Sequence, residues 1–240
     1  MKIFNTIFRM MLVSLVMISC NKDDDSTATE THENLLLKTT DDDLISTYTY
    51  DSDNKLVNYK LNGNAYNPAK DNNFAYNADG TLTKITEGTN SASVVSEYFY
   101  DSNKKIIKIL GRDGIDIYTY TYNGNVITEI YKFTPTNLVR SSVYTYDGNG
   151  NITNVKYYKD ITDANPSGTY SGVINYTYDN KKSATSSLPE AFLFPTSVNN
   201  IKTTQYNGGE IGTSQYEYNT DDYPTKRTDS YTRLYEYKRL

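Results

Sequence analysis

The feature that most constrains this chain is a short tyrosine-rich stretch that recurs from residue 48 to the end. Each copy begins with two aromatic residues separated by one residue, and most copies continue through a polar turn and return through an aliphatic stretch. Tyr and Thr favour strands, and residues two apart lie on one face of a strand, so each copy predicts a β-hairpin. The copies are YTYDSDNKLVNY at Tyr48, FAYNADGTLTKI at Phe74, YFYDSNKKIIKI at Tyr98, YTYNGNVITEI at Tyr120, YTYDGNGNITNV at Tyr144, YTYDNKKSAT at Tyr176, YEYNTDDYPTKR at Tyr216 and a last YEY at Tyr235.

The residues between the two strands of each copy have turn chemistry. An Asp or Asn after the second tyrosine tolerates turn conformations and hydrogen-bonds the backbone just beyond it. Asn123-Gly124 is the shortest turn and predicts a type I′ hairpin, and glycines such as Gly80, Gly148 and Gly150 suit positive φ in longer turns. Four acids recur at the position directly after the second tyrosine: Asp51, Asp101, Asp147 and Asp179. Because the repeat fixes this position, we expect these acids to stabilise turns rather than to act in catalysis.

Aliphatic residues in the returning strands are three positions apart, which strict alternation does not explain. Such partners would lie on opposite faces of a strand, and a segment of four residues is too short for a helix. Either a β-bulge intervenes or both faces are partly covered, and the sequence leaves both alternatives open. The pairs are Leu82/Ile85, Ile106/Ile109, Ile127/Ile130 and Ile152/Val155.

The hairpins predict an all-β fold. Several consecutive copies lie about 24 residues apart, for example Tyr76 to Tyr100 and Tyr122 to Tyr146, which predicts an antiparallel meander. A sheet of roughly ten strands curls because its strands twist, so we expect an open half-barrel or curved sheet. With 25 Tyr, 7 Phe and no Trp, tyrosine must supply much of the apolar area, and its hydroxyls need polar partners.

Residues 186–200, SSLPEAFLFPTSVNN, break the repeat. Pro189 lies early in the segment, an apolar cluster follows it, and Pro195 comes next. Ser187 as N-cap with Pro189 just inside predicts a short helix near 187–194 that Pro195 ends. Its apolar cluster would cover the open side of the curled sheet. The alternative is an apolar loop packed on a sheet edge.

The N-terminus predicts export and lipidation. Lys2 and Arg9 precede an apolar core of nine residues, 10–18, and a helix of that length rises only ~14 Å, too little for a ~30 Å hydrocarbon layer. This pattern is typical of a secretory signal peptide. Cys20, the only cysteine, ends the stretch VMISC, which resembles a bacterial lipobox. We therefore expect Cys20 to be lipidated, and several acyl chains on it would give stable anchoring.

An acidic segment follows the cysteine. Residues 21–43 contain eight acids against Lys22 and Lys38, a composition typical of a disordered tether. As a flexible coil it would reach roughly 25–30 Å from the membrane, and its residues 35–37, three leucines, fit a first strand on the body. The predicted domains are a signal peptide 1–19, a lipidated cysteine with its tether 20–43, and a repeat-built β domain 44–240.

Together these features resemble small surface lipoproteins of Bacteroidota that are built from the YD repeat of RHS-type proteins. The YxYD hairpins, the late YEYNTDDYPTKR and the terminal YEYKRL carry the resemblance over most of residues 48–240, and NKDDD at 21–25 resembles the acidic tag after the cysteine in that group. Where the group shows Asp-Gly-Tyr-Pro, this chain has DDYP at 221–224. The resemblance implies this architecture and a lipid-anchored, cell-surface place on the outer membrane, but no activity.

Few residues fit a catalytic or metal site. The only histidine, His32, lies in the tether, which excludes His-based nucleophilic and metal sites from the domain. DGNGN at 147–151 has the first ligand spacings of a calcium loop, but Ile152 and Tyr158 replace its required glycine and glutamate, and turn chemistry explains the motif. Two carboxylates ~5–9.5 Å apart, as in a glycosidase, can come from distant positions and stay an open alternative.

We expect a surface-anchored lipoprotein whose domain is a non-catalytic binding or scaffold module. A nearly neutral domain without a basic stripe argues against nucleic acid as a partner. No cofactor is expected, and the partners would be the membrane, through the lipid anchor, and a glycan or envelope protein. The expected ligand site lies between the concave sheet and residues 186–200. The alternatives are a polysaccharide-active enzyme, a glycan-binding protein and a purely structural envelope or adhesion component.

Replacing the cysteine tests the lipid anchor. In cells fed an alkyne fatty acid, we expect the wild-type protein to be labelled and Cys20→Ala to be unlabelled, because the thiol is the acylated group. Ser19→Ala keeps the thiol and a small residue before it, so it serves as the control and should be labelled like the wild type. Equal labelling of wild type and Cys20→Ala would refute lipidation at this residue.

Overall fold

Seventeen β-strands make up nearly all of the structure. The computed structural model describes residues 33–88 and 93–240, and the predicted signal peptide, Cys20, the acidic tag and His32 lie outside these ranges. A 3-10 turn (Arg112–Gly114) and a short helix α1 (Glu190–Leu193) are the helical elements of the described residues. The strands are β1 (Asn34–Asp41), β2 (Leu44–Tyr50), β3 (Leu56–Leu61), β4 (Lys70–Tyr76), β5 (Leu82–Glu87), β6 (Ser93–Tyr100), β7 (Ile106–Gly111), β8 (Asp116–Asn123), β9 (Val126–Phe133), β10 (Leu138–Tyr146), β11 (Ile152–Lys159), β12 (Thr169–Lys182), β13 (Asn199–Tyr206), β14 (Ile211–Thr213), β15 (Gln215–Tyr218), β16 (Pro224–Thr228) and β17 (Thr232–Arg239).

The strands form one antiparallel meander that curls into a nearly closed barrel. Each strand from β1 to β14 pairs with the next, and β15, β16 and β17 continue the series. Between β14 and β15, the N–H of Ser214 donates to the carbonyl of Lys202 at 2.9 Å. β17 then pairs with β1. The predicted all-β meander is confirmed, and it curls further than an open half-barrel.

β1 closes this ring, although it lies within residues 20–43, which the sequence assigns to the tether. It pairs with β17 on one side and β2 on the other, and Leu36 is fully buried. Without β1, the strands β2 and β17 would both present unpaired edges. The described β domain therefore begins at β1 rather than at residue 44, and residues 35–37 are part of its first strand.

A β-bulge explains the three-residue spacing of the aliphatic residues. In the hairpin of β4 and β5, Tyr76 pairs with Leu82 and Phe74 pairs with Ile85, so that Thr83 is an extra residue. Leu82 and Ile85 therefore share the inner face although three positions separate them. The same register shift precedes the second tyrosine in the hairpins of Tyr50, Tyr100, Tyr146 and Tyr218.

The hairpin of β8 and β9 has no bulge. Tyr122 pairs with Ile127 and Tyr120 pairs with Glu129 in unbroken register. Ile127 and Ile130 therefore lie on opposite faces, and Glu129 takes the inward position that an aliphatic residue has elsewhere. The sequence left open a β-bulge or partial coverage of both strand faces. The bulge applies to hairpins such as β4–β5, and coverage of both faces applies to β8–β9.

The shortest turn differs from its predicted type. Asn123 pairs with Val126, so Gly124 and Asn125 are the two loop residues. Only Gly124 of these two has a positive φ, at 59°. This sign pattern is that of a type II′ turn, so the predicted type I′ turn centred on Asn123-Gly124 is wrong.

The longer turns share one geometry, which the Asp or Asn after the second tyrosine organises. Asp51 Oδ1 accepts the N–H groups of Asp53 and Lys55 at 2.9 Å each, and Asn54 has a positive φ of 61°. The same pair of bonds forms on the equivalent residues of three further hairpins, Asp101, Asp147 and Asn219. The structural role predicted for this slot is therefore present in Asp51, Asp101 and Asp147.

Tyrosine hydroxyls join consecutive hairpins where the main-chain ladder between them stops. Between β5 and β6 the ladder ends at Lys84 and Glu97, and just beyond it the Tyr100 hydroxyl donates to the carbonyl of Leu82 at 2.6 Å. Leu82 directly precedes the bulge residue, and a bulge disrupts a ladder locally. Six further bonds of 2.6–2.8 Å repeat the arrangement: Tyr50 to Leu36, Tyr76 to Leu56, Tyr122 to Ile106, Tyr178 to Ile152, Tyr216 to Ile201 and Tyr237 to Pro224.

Residues 183–198, here called the plug, pack against the inner face of the barrel. The Phe192 ring lies 5.0 Å from that of Phe74, and the Phe194 ring lies 5.0 Å from that of Tyr120. The predicted short helix is present as α1, but it begins after Pro189. Pro189, not Ser187, is the residue directly before the helix. The Ser187 hydroxyl instead accepts the N–H of Leu36 at 3.0 Å. Within the described residues, no helix is long and apolar enough to cross a membrane.

A glycine substitution tests the shared turn geometry. Gly80 has a φ of 86°, and a Cβ there would meet no atom within 4 Å, so Gly80→Ala should cost about 1 kcal/mol of unfolding free energy through backbone strain alone. Gly148 also has open space but no left-handed φ, so Gly148→Ala is the matched control and should not destabilise. Urea unfolding measures both, and equal stabilities of the two variants would contradict the assigned backbone conformation.

Candidate functional site

A cavity of about 590 Å³ lies between the plug and one half of the barrel. The plug contributes residues on both sides of α1, among them Thr185 and Thr196, and the sheet contributes residues from β1–β3, β10–β13 and β15–β17. This is the place where the sequence predicted a ligand site. Eight tyrosines form much of the wall, namely Tyr48, Tyr59, Tyr144, Tyr157, Tyr176, Tyr178, Tyr216 and Tyr235.

The plug is off-centre, and this leaves the cavity open. The first aromatic residue of each doublet faces inward, and on the β4–β8 side Phe74, Tyr98 and Tyr120 are buried in the core that includes the plug. The equivalent tyrosines of β2, β10, β12, β15 and β17 line the cavity instead. One repeated sequence position therefore forms a packed core on one side of the barrel and a tyrosine-lined wall on the other.

The plug is anchored at both ends, which keeps the cavity formed. Ser187 receives the bond from β1 described above. At the other end, the Ser197 hydroxyl accepts the N–H of Ile152 at 3.0 Å. Just beyond the plug, the main-chain N–H of Asn199 donates to Asn151 Oδ1 at 2.9 Å, and Asn151 Nδ2 donates to Asn199 Oδ1 at 3.0 Å. These bonds connect residues more than forty positions apart in the chain, so they hold the plug against β11.

Burial shifts several tyrosine hydroxyls of the wall further from their ionisation range. The pKa of Tyr48 is raised to about 12, chiefly by burial and less by Tyr59, while Thr39 and Arg233 act to lower it. Burial also raises the pKa of Tyr176 to about 12. At neutral pH these groups are therefore protonated, and each can donate one hydrogen bond as well as accept.

Three charged residues line the cavity among the described residues: Arg227, Arg233 and Asp41. Arg233 Nη2 donates to Asp41 Oδ2 at 2.6 Å. Burial alone lowers the pKa of Arg233, but the bond to Asp41 and the neighbouring Tyr235 outweigh it and shift the pKa upward. Arg227 Nη2 lies 2.5 Å from Asp229 Oδ2, a carboxylate outside the cavity wall. The sequence analysis did not single out these arginines.

Two further acids face inward, and both are bonded to other side chains. The pKa of Glu129 is raised by burial, and its carboxylate accepts the Tyr120 hydroxyl at 3.0 Å. The pKa of Asp116 is lowered chiefly by its bond to Arg112, and its Oδ1 also accepts the Tyr131 hydroxyl at 2.8 Å. Glu129 is opposite Tyr120 and Asp116 is four residues before Tyr120, so their backbone positions are roughly 13 Å apart along the strands.

The other acids that the sequence singled out lie elsewhere. Asp147, the first residue of the calcium-like DGNGN stretch, accepts two main-chain N–H groups of its own turn, and no group of metal-ligating side chains occurs in the described part of the chain. Asp179 departs from the repeat: its carboxylate accepts the Tyr218 hydroxyl and bonds of Asn200 at 3.2–3.5 Å. It keeps one bond of the turn slot, from the N–H of Lys181 at 3.0 Å, and it also supports β13 and β15 beside the cavity.

Comparison with known proteins gives low structural similarity. No family profile matches the sequence, and no curated protein matches it. A porin-like protein from Bacteroides vulgatus has a TM-score of 0.47 and 13% identity over 85% of this chain and 99% of its own. The Photorhabdus luminescens Tc holotoxin pore and TcdB2-TccC3 both have a TM-score of 0.33 and 14% identity over 82% of this chain, which spans 9% and 14% of those chains. Scores this low carry no inference about function.

The raised tyrosine pKa values predict alkaline unfolding. Several buried tyrosines have a folded pKa of about 12 because of burial, among them Tyr48, Tyr98 and Tyr176, against ~10 when unfolded. Above pH 10 the folded state binds more protons than the unfolded state, so the free energy of unfolding falls as pH rises from 10 to 12. Urea unfolding at each pH with absorbance at 295 nm measures this. Full tyrosine titration near pH 10 with unchanged stability would contradict it.

Proposed function

We propose that this protein is a lipoprotein, anchored through Cys20 on the outer face of the outer membrane, whose barrel is a non-catalytic binding module. The apolar N-terminus, the cysteine that follows it and the acidic tag support the anchor. The barrel supports the binding role, because it holds a cavity of about 590 Å³, within the ~300–1,000 Å³ typical of small-molecule sites.

The cavity wall is the observation that carries the binding role. Packing alone requires a filled interior, since voids in protein cores cost stability. Here the plug fills one half of the barrel, while the other half presents eight tyrosines, of which Tyr176 and Tyr178 are neighbours with ring centroids 6.5 Å apart. Tyrosine offers an apolar face together with a hydrogen-bonding end. Such a wall suits a ligand with alternating apolar and hydroxyl surfaces, which is the chemistry of a glycan.

The acids of the interior support binding rather than hydrolysis. Among the described wall residues Asp41 is the single carboxylate, and it is paired with Arg233. The other two inward acids are bonded to side chains of the protein itself, Glu129 to Tyr120 and Asp116 to Arg112 and Tyr131. A purely structural role is the second candidate, and the filled half of the barrel favours it.

A glycan array with the mature protein tests the proposal. We expect binding of at least one saccharide, and Tyr157→Ala, which trims the cavity wall outside the buried core, should weaken it at least tenfold. Tyr66→Ala is the control, because Tyr66 is 92% exposed and lies away from the cavity; it should keep the affinity within twofold. Glycan binding in the cavity would be overturned if no saccharide on the array binds. It would also be overturned if Tyr157→Ala and Tyr66→Ala change the affinity equally.

A further inference from the structure

Two arginines in the cavity wall indicate the charge of the ligand. Arg227 and Arg233 are directly opposite each other across β16 and β17, and both line the cavity. Like charges in directly opposite positions destabilise a strand pair. The barrel therefore holds two positive charges side by side at a cost in stability, in a place where a ligand would meet them.

The protein's own acids satisfy the two guanidinium groups only in part. Each arginine has one Nη2 close to a carboxylate, Asp41 for Arg233 and Asp229 for Arg227. The Nε atoms of both arginines are buried, and neither has a hydrogen-bond partner within the described residues. A buried N–H without an acceptor carries the full cost of its lost hydration. Because only Asp41 of the two acids reaches the cavity wall, the wall itself carries a net positive charge.

Aromatic contacts hold both guanidinium groups in place. The Tyr231 ring centroid lies 5.9 Å from Arg227 Cζ and 5.6 Å from Arg233 Cζ, distances at which a ring attracts a cation. Tyr216 is directly opposite Arg227 on β15, and its pKa is raised by burial to about 12 although Arg227 lowers it. The site thus combines two oriented guanidinium groups with a neutral hydroxyl beside them.

We propose that the cavity takes an acidic saccharide, with its carboxylate or sulfate group bound by Arg227 and Arg233 and its sugar rings against the wall tyrosines. Planar guanidinium groups bind such anions through paired, charge-assisted hydrogen bonds. Binding would supply a counter-charge for the opposed arginines. This inference rests on the proposed function, because it names the ligand class of the same cavity.

Two pairs of saccharides test the inference with the mature protein by titration calorimetry. Trigalacturonate is compared with its methyl ester, and a sulfated oligosaccharide with its desulfated form, so that each pair differs only in the anion. We expect at least one acidic form to bind tenfold or more tighter than its neutral partner, with affinity falling as salt rises. Which pair discriminates identifies the anion as carboxylate or sulfate.

Substitutions at the arginines locate the contact. Arg233→Gln should weaken the acidic saccharide at least tenfold. Lys226→Gln removes one positive charge from the neighbouring position, where Lys226 pairs with Glu217 at 2.8 Å outside the cavity wall, so it is the matched control and should stay within twofold. Asp41→Asn removes the acid that competes for Arg233, so it should tighten binding severalfold. Because Asp41→Asn should increase the affinity, a result that unfolding cannot produce, the inference can be tested even if Arg233→Gln does not fold.

The outcomes separate this inference from the proposed function. Equal binding of acidic and neutral forms, or acid binding that neither Arg233→Gln nor Asp41→Asn changes, overturns the acidic-saccharide inference. In that case a loss of binding in Tyr157→Ala would still support the glycan-binding cavity. Absence of binding by all four saccharides overturns the inference. The proposed function falls with it only if the glycan array also shows no binding or if Tyr157→Ala and Tyr66→Ala have equal effects.

Discussion

The barrel depends on a hydrogen bond between a tyrosine hydroxyl and a main-chain carbonyl of the preceding strand. Each bulge interrupts the ladder between consecutive hairpins, and at seven such seams a doublet tyrosine donates to the carbonyl directly before the extra residue, as Tyr100 does to Leu82 at 2.6 Å. The donor is the second tyrosine of its doublet at six seams and the first, Tyr216, at the seventh. A buried carbonyl without a donor is costly. The tyrosine therefore replaces the missing backbone donor, while its ring fills the interior.

The seam without a bulge supports this interpretation. At β9 and β10 the ladder continues as far as Val126 and Thr145, and the N–H of Tyr146 donates to the carbonyl of Asn125 at 2.9 Å. Here the backbone supplies its own donors because no extra residue displaces the strand. Tyrosine meets a requirement at these seven seams that phenylalanine, which has no hydroxyl, cannot meet.

The same rings divide the interior into a core and a cavity. Because every doublet directs a tyrosine inward whatever its place in the barrel, the interior is lined evenly, and the position of the plug alone decides which rings are buried. Phe192 and Phe194 occupy the β4–β8 side. The opposite wall keeps its tyrosines available, and Arg227 and Arg233 add charge there. The first aromatic residue of each doublet therefore serves both the packed core and the proposed binding wall.

Local features of this fold were predictable, and long-range ones were not. The doublets and the Asp turn slot act over a few residues, so the sequence predicted the hairpins, the meander and the role of Asp51. A bulge and two-sided burial produce the same three-residue spacing. The spacing could therefore not show that Ile85 shares a face with Leu82 while Ile130 lies on the face opposite Ile127. The inward position of Arg227 depends on the register of β16 with both neighbours, and Ser187 bonds a strand 151 residues away. No local pattern encodes either contact.

Removing the seam hydroxyls while keeping their rings tests the central claim most directly. The combined variant Tyr76→Phe, Tyr100→Phe and Tyr122→Phe should lose about 3 kcal/mol of unfolding free energy in urea, since each bond contributes ~1 kcal/mol. Tyr66→Phe, at a 92% exposed position, should change it by less than ~0.5 kcal/mol. Equal stability of the triple variant and the wild type would show that the hydroxyl bonds do not hold the hairpins together.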